Sequence, residues 1–217
     1  MVSPERVQGT LRRPAAWRRW ALAAAVGAAT ASGAVYAYRQ RIPDPPFAYG
    51  MKLAQARDVH PVTLRGTDGP VLLPYRDGRW TLLFFGYTHC PDVCPTTLAY
   101  LHQEMRAMGT RAADLHVVFV SVDPGRDTAA GAAQFALFYD PQFTGLTGDK
   151  AALDQLTTDA GAAYLPSKPL PGTATYEVMH SSSVYVVNPA GRVVALYGGT
   201  GAPGRLAQDF AFLPARS

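Results

Sequence analysis

Two apolar runs, at residues 80–85 and 115–122, constrain the fold of this chain more than any other feature. They read WTLLFF and LHVVFVSV, and aromatic and β-branched residues are frequent in both. Short, continuous apolar runs of this kind are typical of strands buried on both faces, as in a parallel sheet. Between them, apolar residues recur at helical spacing from Leu98 to Met108, which predicts a helix over about residues 95–108. Since strands joined by a helical crossover run parallel, we expect parallel strands in one sheet.

The middle of the chain predicts two more helices. Asp127 or Thr128 can cap the first of them, and Asp149 opens the second. We expect the apolar faces to consist of Ala132, Phe135 and Phe138 in the first helix and of Leu153, Leu156 and Ala160 in the second.

The end of the chain predicts a loop, a hairpin and a last helix. Residues 165–175 are rich in Pro, Gly, Ser and Thr and are typical of a surface loop. Residues 183–187 and 192–197 alternate on either side of the turn sequence NPAG, which predicts a β-hairpin. A last helix is expected over about residues 204–212. Together these elements predict an α/β, thioredoxin-like fold, in which a mixed sheet is flanked by helices on both faces.

Charge is distributed unevenly along the chain. Residues 1–41 carry seven of the 20 basic residues and one of the 16 acidic ones, which leaves 13 basic and 15 acidic residues in the remainder. The basic character therefore belongs to the N-terminal appendage, and the larger part of the chain is mildly acidic. This distribution argues against a phosphate-binding surface, so we expect no nucleic-acid partner.

An uncharged segment of 19 residues, Trp20–Tyr38, predicts a transmembrane helix. As a helix it would be about 28 Å long, enough to cross the hydrocarbon core of a bilayer. Aromatic residues flank the segment, and more arginines precede it than follow it. The positive-inside rule then predicts a single-pass protein of the inner (cytoplasmic) membrane with its domain on the periplasmic side. The alternative is a cleaved signal peptide with its cleavage site near Ser32–Ala34, and both alternatives export the domain.

These features divide the chain into four parts. Residues 1–19 are expected to form a basic cytoplasmic N-terminus, and residues 20–38 the anchor. Residues 39–58 form a Pro-rich linker, because the sequence IPDPPF favours an extended stalk. Residues 59–217 are expected to form the thioredoxin-like domain.

The two cysteines of the chain, Cys90 and Cys94, follow the first apolar run and open the first predicted helix. Ligands of α/β sheets gather at the carboxyl ends of strands, so this is the expected place for a site. A helix N-terminus lowers the pKa of a thiol and favours the thiolate, which is both a nucleophile and a metal ligand. Thiol oxidoreductases usually carry a Cys-X-X-Cys motif. Here three residues intervene, and the wider spacing lets both sulfurs approach one soft metal ion, copper(I) above all.

Four sequence motifs resemble those of the Sco (SenC-type) family of copper chaperones. They are FGYTHCPDVCPTTL at residues 85–98, VSVDPGRDT at 120–128, GLTG at 145–148 and the pair His180-Ser181. The similarity runs in consistent order from about residue 60 to residue 213. It is the joint occurrence of the motifs that makes the resemblance specific.

The resemblance implies a function, a cargo and partners. The family delivers copper to the binuclear copper-A centre of cytochrome c oxidase subunit II, so that subunit and other copper chaperones are the implied partners. Its copper ligands fall on Cys90, Cys94 and His180 of this chain, which would hold copper(I), copper(II) or both. The alternative is a membrane-anchored thiol-disulfide reductase, in which Cys90 and Cys94 act catalytically on the cysteines of that subunit.

One position departs from the family's pattern. An acidic residue commonly precedes the ligand histidine, and this chain has Met179 there. If that acid orients the imidazole, this chain lacks its contribution. Met179 is a soft potential ligand, but adjacent side chains of an extended segment point to opposite faces. Asp123 and Asp127 follow a predicted strand end, where they could either act beside the site or serve as turn and cap residues.

Overall fold

A six-stranded mixed sheet organises the computed structural model of the protein, which describes residues 47–167 and 176–213. The strands, in chain order, are β1 (Met51–Asp58), β2 (Val62–Gly66), β3 (Gly69–Leu73), β4 (Trp80–Gly86), β5 (Leu115–Ser121), β6 (Thr144–Leu146), β7 (Tyr164–Pro166), β8 (Val178–His180), β9 (Ser183–Val187) and β10 (Arg192–Gly198). The helices are α1 (Val93–Met108), α2 (Ala129–Tyr139), α3 (Lys150–Ala160) and α4 (Arg205–Asp209), and a 3-10 helix (Gly109–Asp114) follows α1. The strand order in the main sheet is β1-β10-β9-β4-β5-β6, while β2 pairs with β3 and β7 with β8.

The two predicted central strands lie side by side. β4 and β5 pair in parallel, from Trp80 opposite Leu115 to Gly86 opposite Ser121. Every residue of β4 is buried, which explains why its sequence is continuously apolar instead of alternating. β6 extends the parallel part of the sheet, and the hairpin β9–β10 adds antiparallel strands on the other side. The predicted mixed, thioredoxin-like sheet is confirmed.

The helices of the middle of the chain are also present, and their N-caps are resolved. The Thr128 hydroxyl oxygen accepts the Gly131 N–H at 3.0 Å, so Thr128 caps α2 and Asp127 does not. Asp149 caps α3 by accepting a main-chain N–H of the first turn at 2.8 Å. The expected apolar face of α3 is buried at Leu153, Leu156 and Ala160. The last helix, α4, is five residues long and therefore shorter than predicted.

One residue of the predicted apolar face of α2 is exposed in the structure. Phe138 is predicted to be buried, but 81% of its surface is exposed. The buried side of the helix consists of small residues, including Ala132 and Ala136, which allow α2 to approach β6 closely. At about 100° per residue, Phe138 lies on the opposite side of the helix from these alanines. The prediction for Phe138 is therefore wrong.

The folded domain begins earlier than the sequence predicts. Residues 51–58, expected to belong to the linker, form β1 and pair antiparallel with β10. Phe47 is buried and packs edge-on against Tyr197 and Phe210. The boundary expected at residues 58 and 59 is corrected accordingly. β1 escaped prediction because most residues of this edge strand are exposed, so that no apolar run or alternation marks it.

Two further strand pairs are absent from the sequence prediction. They are the hairpin β2–β3 and the pair β7–β8, of which β7 overlaps the beginning of the predicted loop. The rest of that loop, residues 168–175, lies outside the described residues, as do the predicted N-terminal segment 1–19 and the predicted anchor 20–38. Within the two described ranges, no helix is both long and apolar enough to span a bilayer.

Gly145 in β6 should not tolerate a side chain. A Cβ there would lie 2.0 Å from the carbonyl oxygen of Ala132 and 2.7 Å from the Cα of Ala133, and these backbone atoms cannot move aside independently. We expect Gly145→Ala to lower the free energy of unfolding by about 1–3 kcal/mol, measured by urea denaturation.

Gly131→Ala is the matched control for this prediction. A Cβ at Gly131 would meet only the Thr128 hydroxyl oxygen, at 3.4 Å. Alanine in the first turn of α2 should leave the stability unchanged or raise it by up to about 1 kcal/mol. Equal stabilities of the two variants would contradict the close packing of α2 on β6.

Candidate metal centre

Cys90 and Cys94 lie where β4 passes into α1. The Cys90 N–H donates to the Tyr87 carbonyl at 3.2 Å and closes a turn after the strand. Cys94 occupies the first turn of α1 and is fully buried, whereas Cys90 is 9% exposed. The Cys94 N–H donates to the Cys90 sulfur at 3.5 Å, and neither cysteine forms a disulfide. The predicted position of the pair at a strand–helix junction is therefore observed.

Gly86, the last residue of β4, makes room for the Cys94 thiol. A Cβ at this position would lie 2.5 Å from the Cys94 sulfur and 2.8 Å from a ring carbon of Phe119. The thiol thus packs directly against the backbone of a central strand. A glycine is needed here because of this close approach.

His180 reaches the cysteines from a distant part of the chain. It is the last residue of β8, where it lies opposite Tyr164 of β7. Its Nε2 lies 3.4 Å from the Cys94 sulfur. One potential ligand atom each of Cys90, Cys94 and His180 lies within 4.8 Å of the other two. Since metal bonds to sulfur and nitrogen are about 2.0–2.3 Å long, one ion could contact all three after small side-chain movements.

The hydrogen bond of His180 decides which of its nitrogens is available. Nδ1 lies 3.1 Å from the carbonyl oxygen of Ser181, and because a carbonyl only accepts, Nδ1 carries the proton. The lone pair of Nε2 is then free on the side of Cys94. Phe84 and Tyr87 pack edge-on against the imidazole, with ring centroids 6.1 and 5.8 Å away. A carbonyl and two aromatic rings therefore orient this imidazole.

Burial opposes ionisation of the cluster. Desolvation raises the pKa of the Cys94 thiol, although a hydrogen bond from the Tyr87 main chain acts in the opposite direction. Desolvation also lowers the pKa of His180. The expectation that the helix N-terminus favours the thiolate is wrong for Cys94, because desolvation of its buried negative charge raises the pKa of this thiol. Without a metal, Cys94 is a thiol and His180 is neutral at about pH 7.

Two sulfurs and one neutral imidazole form a soft donor set. Such a set suits copper(I), with zinc as its main competitor. Within the described part of the chain, this is the one group of three or more His, Cys, Asp or Glu side chains placed to hold an ion. An open depression beside the cluster is lined by Cys90, Asp92, Val93, Glu177, Met179 and His180. An ion bound here would therefore be accessible from the surface.

Met179 lies at the rim of this depression. It is the middle residue of β8, between the buried Val178 and the half-buried His180, and 63% of its surface is exposed. Because side chains alternate along a strand, the Met179 thioether and the His180 imidazole leave β8 on opposite faces. This arrangement agrees with the expectation that Met179 is not oriented like a ligand.

Asp123 and Asp127 are buried and hold loops beside the site. Asp127 accepts hydrogen bonds from the Thr88 N–H at 2.7 Å and from the hydroxyls of Thr88 and Ser121, both at 2.5 Å. Asp123 accepts a hydrogen bond from the Tyr176 hydroxyl at 2.6 Å. Of the two roles left open by the sequence, these contacts favour a supporting role next to the site for both carboxylates.

Three residues that shape the site were not predicted. Phe84 and Tyr87 precede the cysteine motif, and Ser181 follows the candidate ligand His180, so nearness in sequence was the available signal. Which of their atoms face the imidazole depends on the return of β8 to the end of β4, and no local pattern reports that approach.

The chain matches the SCO1/SenC family over residues 63–213. The human protein SCO1 homolog, mitochondrial, is 29% identical over 214 residues, which cover 91% of this chain and 66% of the human protein. The bovine protein SCO2 homolog, mitochondrial, is 34% identical over 122 residues, which cover 55% of this chain and 46% of the bovine protein. The chain thus spans less than two thirds of the length of these relatives.

Solved structures extend the similarity to the fold. Apo Sco1 from Thermus thermophilus is 36% identical with a TM-score of 0.68, and the match covers 75% of this chain and 95% of that chain. Bradyrhizobium japonicum ScoI with copper bound is 33% identical with a TM-score of 0.65, and the match covers 72% of this chain and 99% of that chain. The domain described here is therefore similar to both structures over nearly their whole length.

Copper(I) binding to the cluster should strengthen as the pH rises. Because burial raises the pKa of Cys94, its thiol must lose a proton when a metal binds. We expect the apparent affinity to rise about tenfold per pH unit for each proton released, measured by competition with a copper(I) chelator between about pH 6 and 8. His180 should not compete for protons over most of this range, because its pKa is lowered. An affinity that does not change with pH would contradict the protonated state of Cys94.

Proposed function

This chain belongs to the SCO1/SenC family, and from that premise we propose that it binds one copper ion through Cys90, Cys94 and His180 and delivers it to the copper-A centre of cytochrome c oxidase subunit II. The observation that carries the proposal is the convergence of three soft ligands within 4.8 Å. The copper bound in the relative from Bradyrhizobium japonicum supports copper as the cargo. The receiving subunit is inferred from the resemblance to the family.

The positions of the three ligands suit both holding and releasing an ion. Cys94 is held in the core by α1, whereas Cys90 and His180 border the open depression. Three-coordinate copper(I) can accept a further ligand, so a group of the partner could bind before one of the two outer ligands leaves. Asp92 and Glu177 also line the depression, and their negative charge favours the approach of a cation. Transfer could therefore proceed without free copper.

The second candidate function is that of a thiol-disulfide reductase, which would use the same two cysteines. Their sulfurs lie within 4.8 Å of each other, so a disulfide between them needs only a small rearrangement. One thiolate would attack a disulfide of subunit II, and the other would then displace the partner's second sulfur. The Cys90–Cys94 disulfide forms as the partner gains two electrons and two protons. Cys90 is the more accessible attacking group, since Cys90 borders the open depression whereas Cys94 is fully buried. This function leaves His180 without a role, so copper binding is favoured.

We also propose that residues 20–38 anchor the protein in the inner membrane, with the domain on the periplasmic side. The support comes from the sequence alone, namely an uncharged length sufficient to span a bilayer and an excess of arginine before it. A cleaved signal peptide remains the alternative, and it would export the same domain.

Substitution of the three ligands should separate their roles in copper binding. The wild-type protein should bind one copper(I) per chain, and Cys90→Ala or Cys94→Ala should abolish tight binding, because a single thiolate and an imidazole remain. His180→Ala should weaken binding but leave the domain folded, since His180 ends a short strand at the surface. X-ray absorption should show two sulfur ligands and one nitrogen ligand in the wild type, and the nitrogen should be missing in His180→Ala.

Met179→Leu is the matched control, because it removes a thioether next to His180 but none of the proposed ligands. It should keep the wild-type stoichiometry and spectrum. Full copper stoichiometry in both cysteine variants would rule out the site, and a wild-type spectrum with sulfur ligands only would rule out His180. The reductase would be favoured if metal-free wild-type protein and His180→Ala reduced a disulfide of subunit II at equal rates, and if the copper-loaded wild-type protein transferred no copper to that subunit.

The anchor proposal predicts that the full-length protein stays in the membrane fraction after alkaline or high-salt washing. Attachment through arginine residues alone would be screened by salt, whereas a buried apolar segment would not. A reporter fused after Ser217 should be active only outside the cytoplasm. Release of a soluble product that begins near Val35 would identify a cleaved signal peptide. Activity of the reporter in the cytoplasm would contradict both the anchor and the signal peptide.

A further inference from the structure

Arg126 contacts both of the chain segments that supply the ligand cluster. It belongs to the turn between β5 and α2. Its guanidinium carbon lies 3.6 Å from the centre of the Tyr176 ring and 5.6 Å from the centre of the Tyr87 ring. Tyr176 precedes β8, which carries His180, and Tyr87 lies in the loop that carries Cys90. One cation therefore packs against an aromatic ring from each half of the site.

Hydrogen bonds hold the guanidinium in this position. Nε donates to one carboxylate oxygen of Asp123 at 2.5 Å, and Nη1 donates to the carbonyl oxygen of Tyr176 at 2.8 Å. The Tyr176 hydroxyl donates to the other carboxylate oxygen of Asp123 at 2.6 Å. Asp123 is 3% exposed, and the three bonds are partly buried, which strengthens these charge-assisted contacts. Arg126, Asp123 and Tyr176 thus form one rigid unit.

Tyr87 connects this unit to the ligands. Its carbonyl accepts the Cys90 N–H at 3.2 Å. Its ring lies edge-on to the His180 imidazole at 5.8 Å. The contacts of Tyr87 therefore extend from the cysteine loop to the strand that carries the histidine.

We infer that Arg126 is a positioning residue, which holds His180 at its distance from the cysteines without binding the metal. This inference rests on the proposed ligand set. β8 has three residues and pairs with an equally short strand, so it needs support from outside its own hairpin. Cys94, in contrast, is held by its packing against Gly86. Removing the planar guanidinium should therefore release the imidazole ligand and leave the sulfur ligands in place.

A double-mutant cycle on copper(I) affinity in the full-length protein tests this inference. Arg126→Lys keeps the charge but loses the planar fork that stacks on two rings. We expect it to weaken copper(I) binding about 10- to 100-fold, the effect typical of residues that orient metal ligands. In the His180→Ala background, the same substitution should change the affinity less than about twofold, because the ligand through which it acts is absent. X-ray absorption of Arg126→Lys should retain two sulfur ligands and lose the nitrogen.

Arg111→Lys is the matched control, since Arg111 also donates to a main-chain carbonyl, that of Leu213, at 3.1 Å but lies away from the cluster. It should leave the affinity unchanged in both backgrounds.

Tyr176→Phe is a second test, which remains available if Arg126→Lys fails to fold. It keeps the ring under the guanidinium and removes the hydroxyl bond to Asp123. We therefore expect a smaller loss of copper(I) affinity, confined to the wild-type background.

Two groups of results would overturn the inference. In the first, each of the variants Arg126→Lys and Tyr176→Phe lowers the copper(I) affinity by the same factor in the wild-type and His180→Ala backgrounds. Alternatively, both variants leave the affinity and the nitrogen ligand unchanged. In the second, His180→Ala alone binds copper(I) as tightly as the wild type. That result would show that His180 is not a ligand, and it can be measured before any substitution at Arg126 is made.

Discussion

The close packing of the Cys94 thiol against Gly86 is the contact on which the metal centre and the surrounding fold both depend. It holds the first turn of α1 against the end of β4, so that a central strand, a helix N-terminus and the cysteine loop meet at one point. β4 is paired on both sides, with β5 and β9, and its backbone cannot shift without disturbing the dense core around it. Of the three proposed ligands, one is thus part of the hydrophobic core, and the other two are placed relative to it.

Burial of the Cys94 thiol also determines its protonation state. A thiol in the core keeps its proton until a soft ion replaces it, so the metal-free Cys94 is less reactive than an exposed cysteine at a helix N-terminus. The same desolvation keeps His180 neutral, and the Ser181 carbonyl holds its Nδ1 proton away from the cluster. Sulfur and imidazole nitrogen offer little to hard cations, which prefer oxygen ligands. The fold therefore contributes to selectivity for a soft ion.

Charged groups beside the cluster hold its loops together. The carboxylate of Asp127 is occupied by donors from Thr88 and from β5, and that of Asp123 by Arg126 and Tyr176. Buried carboxylates with several donors are not available to compete for a cation. The motif VSVDPGRDT has the features of a turn followed by a helix cap. In the folded protein it also connects the parallel strands to the cysteine loop and to the segment before β8.

The sequence by itself determined the elements whose signals are local. Continuous apolar runs predicted β4 and β5, helical spacing predicted α1, and the cysteine pair at a strand–helix junction predicted where a site would lie. The edge strand β1 could not be predicted, because its residues are mostly exposed and its partner β10 lies far along the chain. The meeting of His180 with Cys94, 86 residues away, followed from family resemblance and not from any pattern in the chain. Only the tertiary structure decided that Cys94 stays protonated, since a helix dipole acts locally, whereas desolvation depends on every residue packed around the thiol.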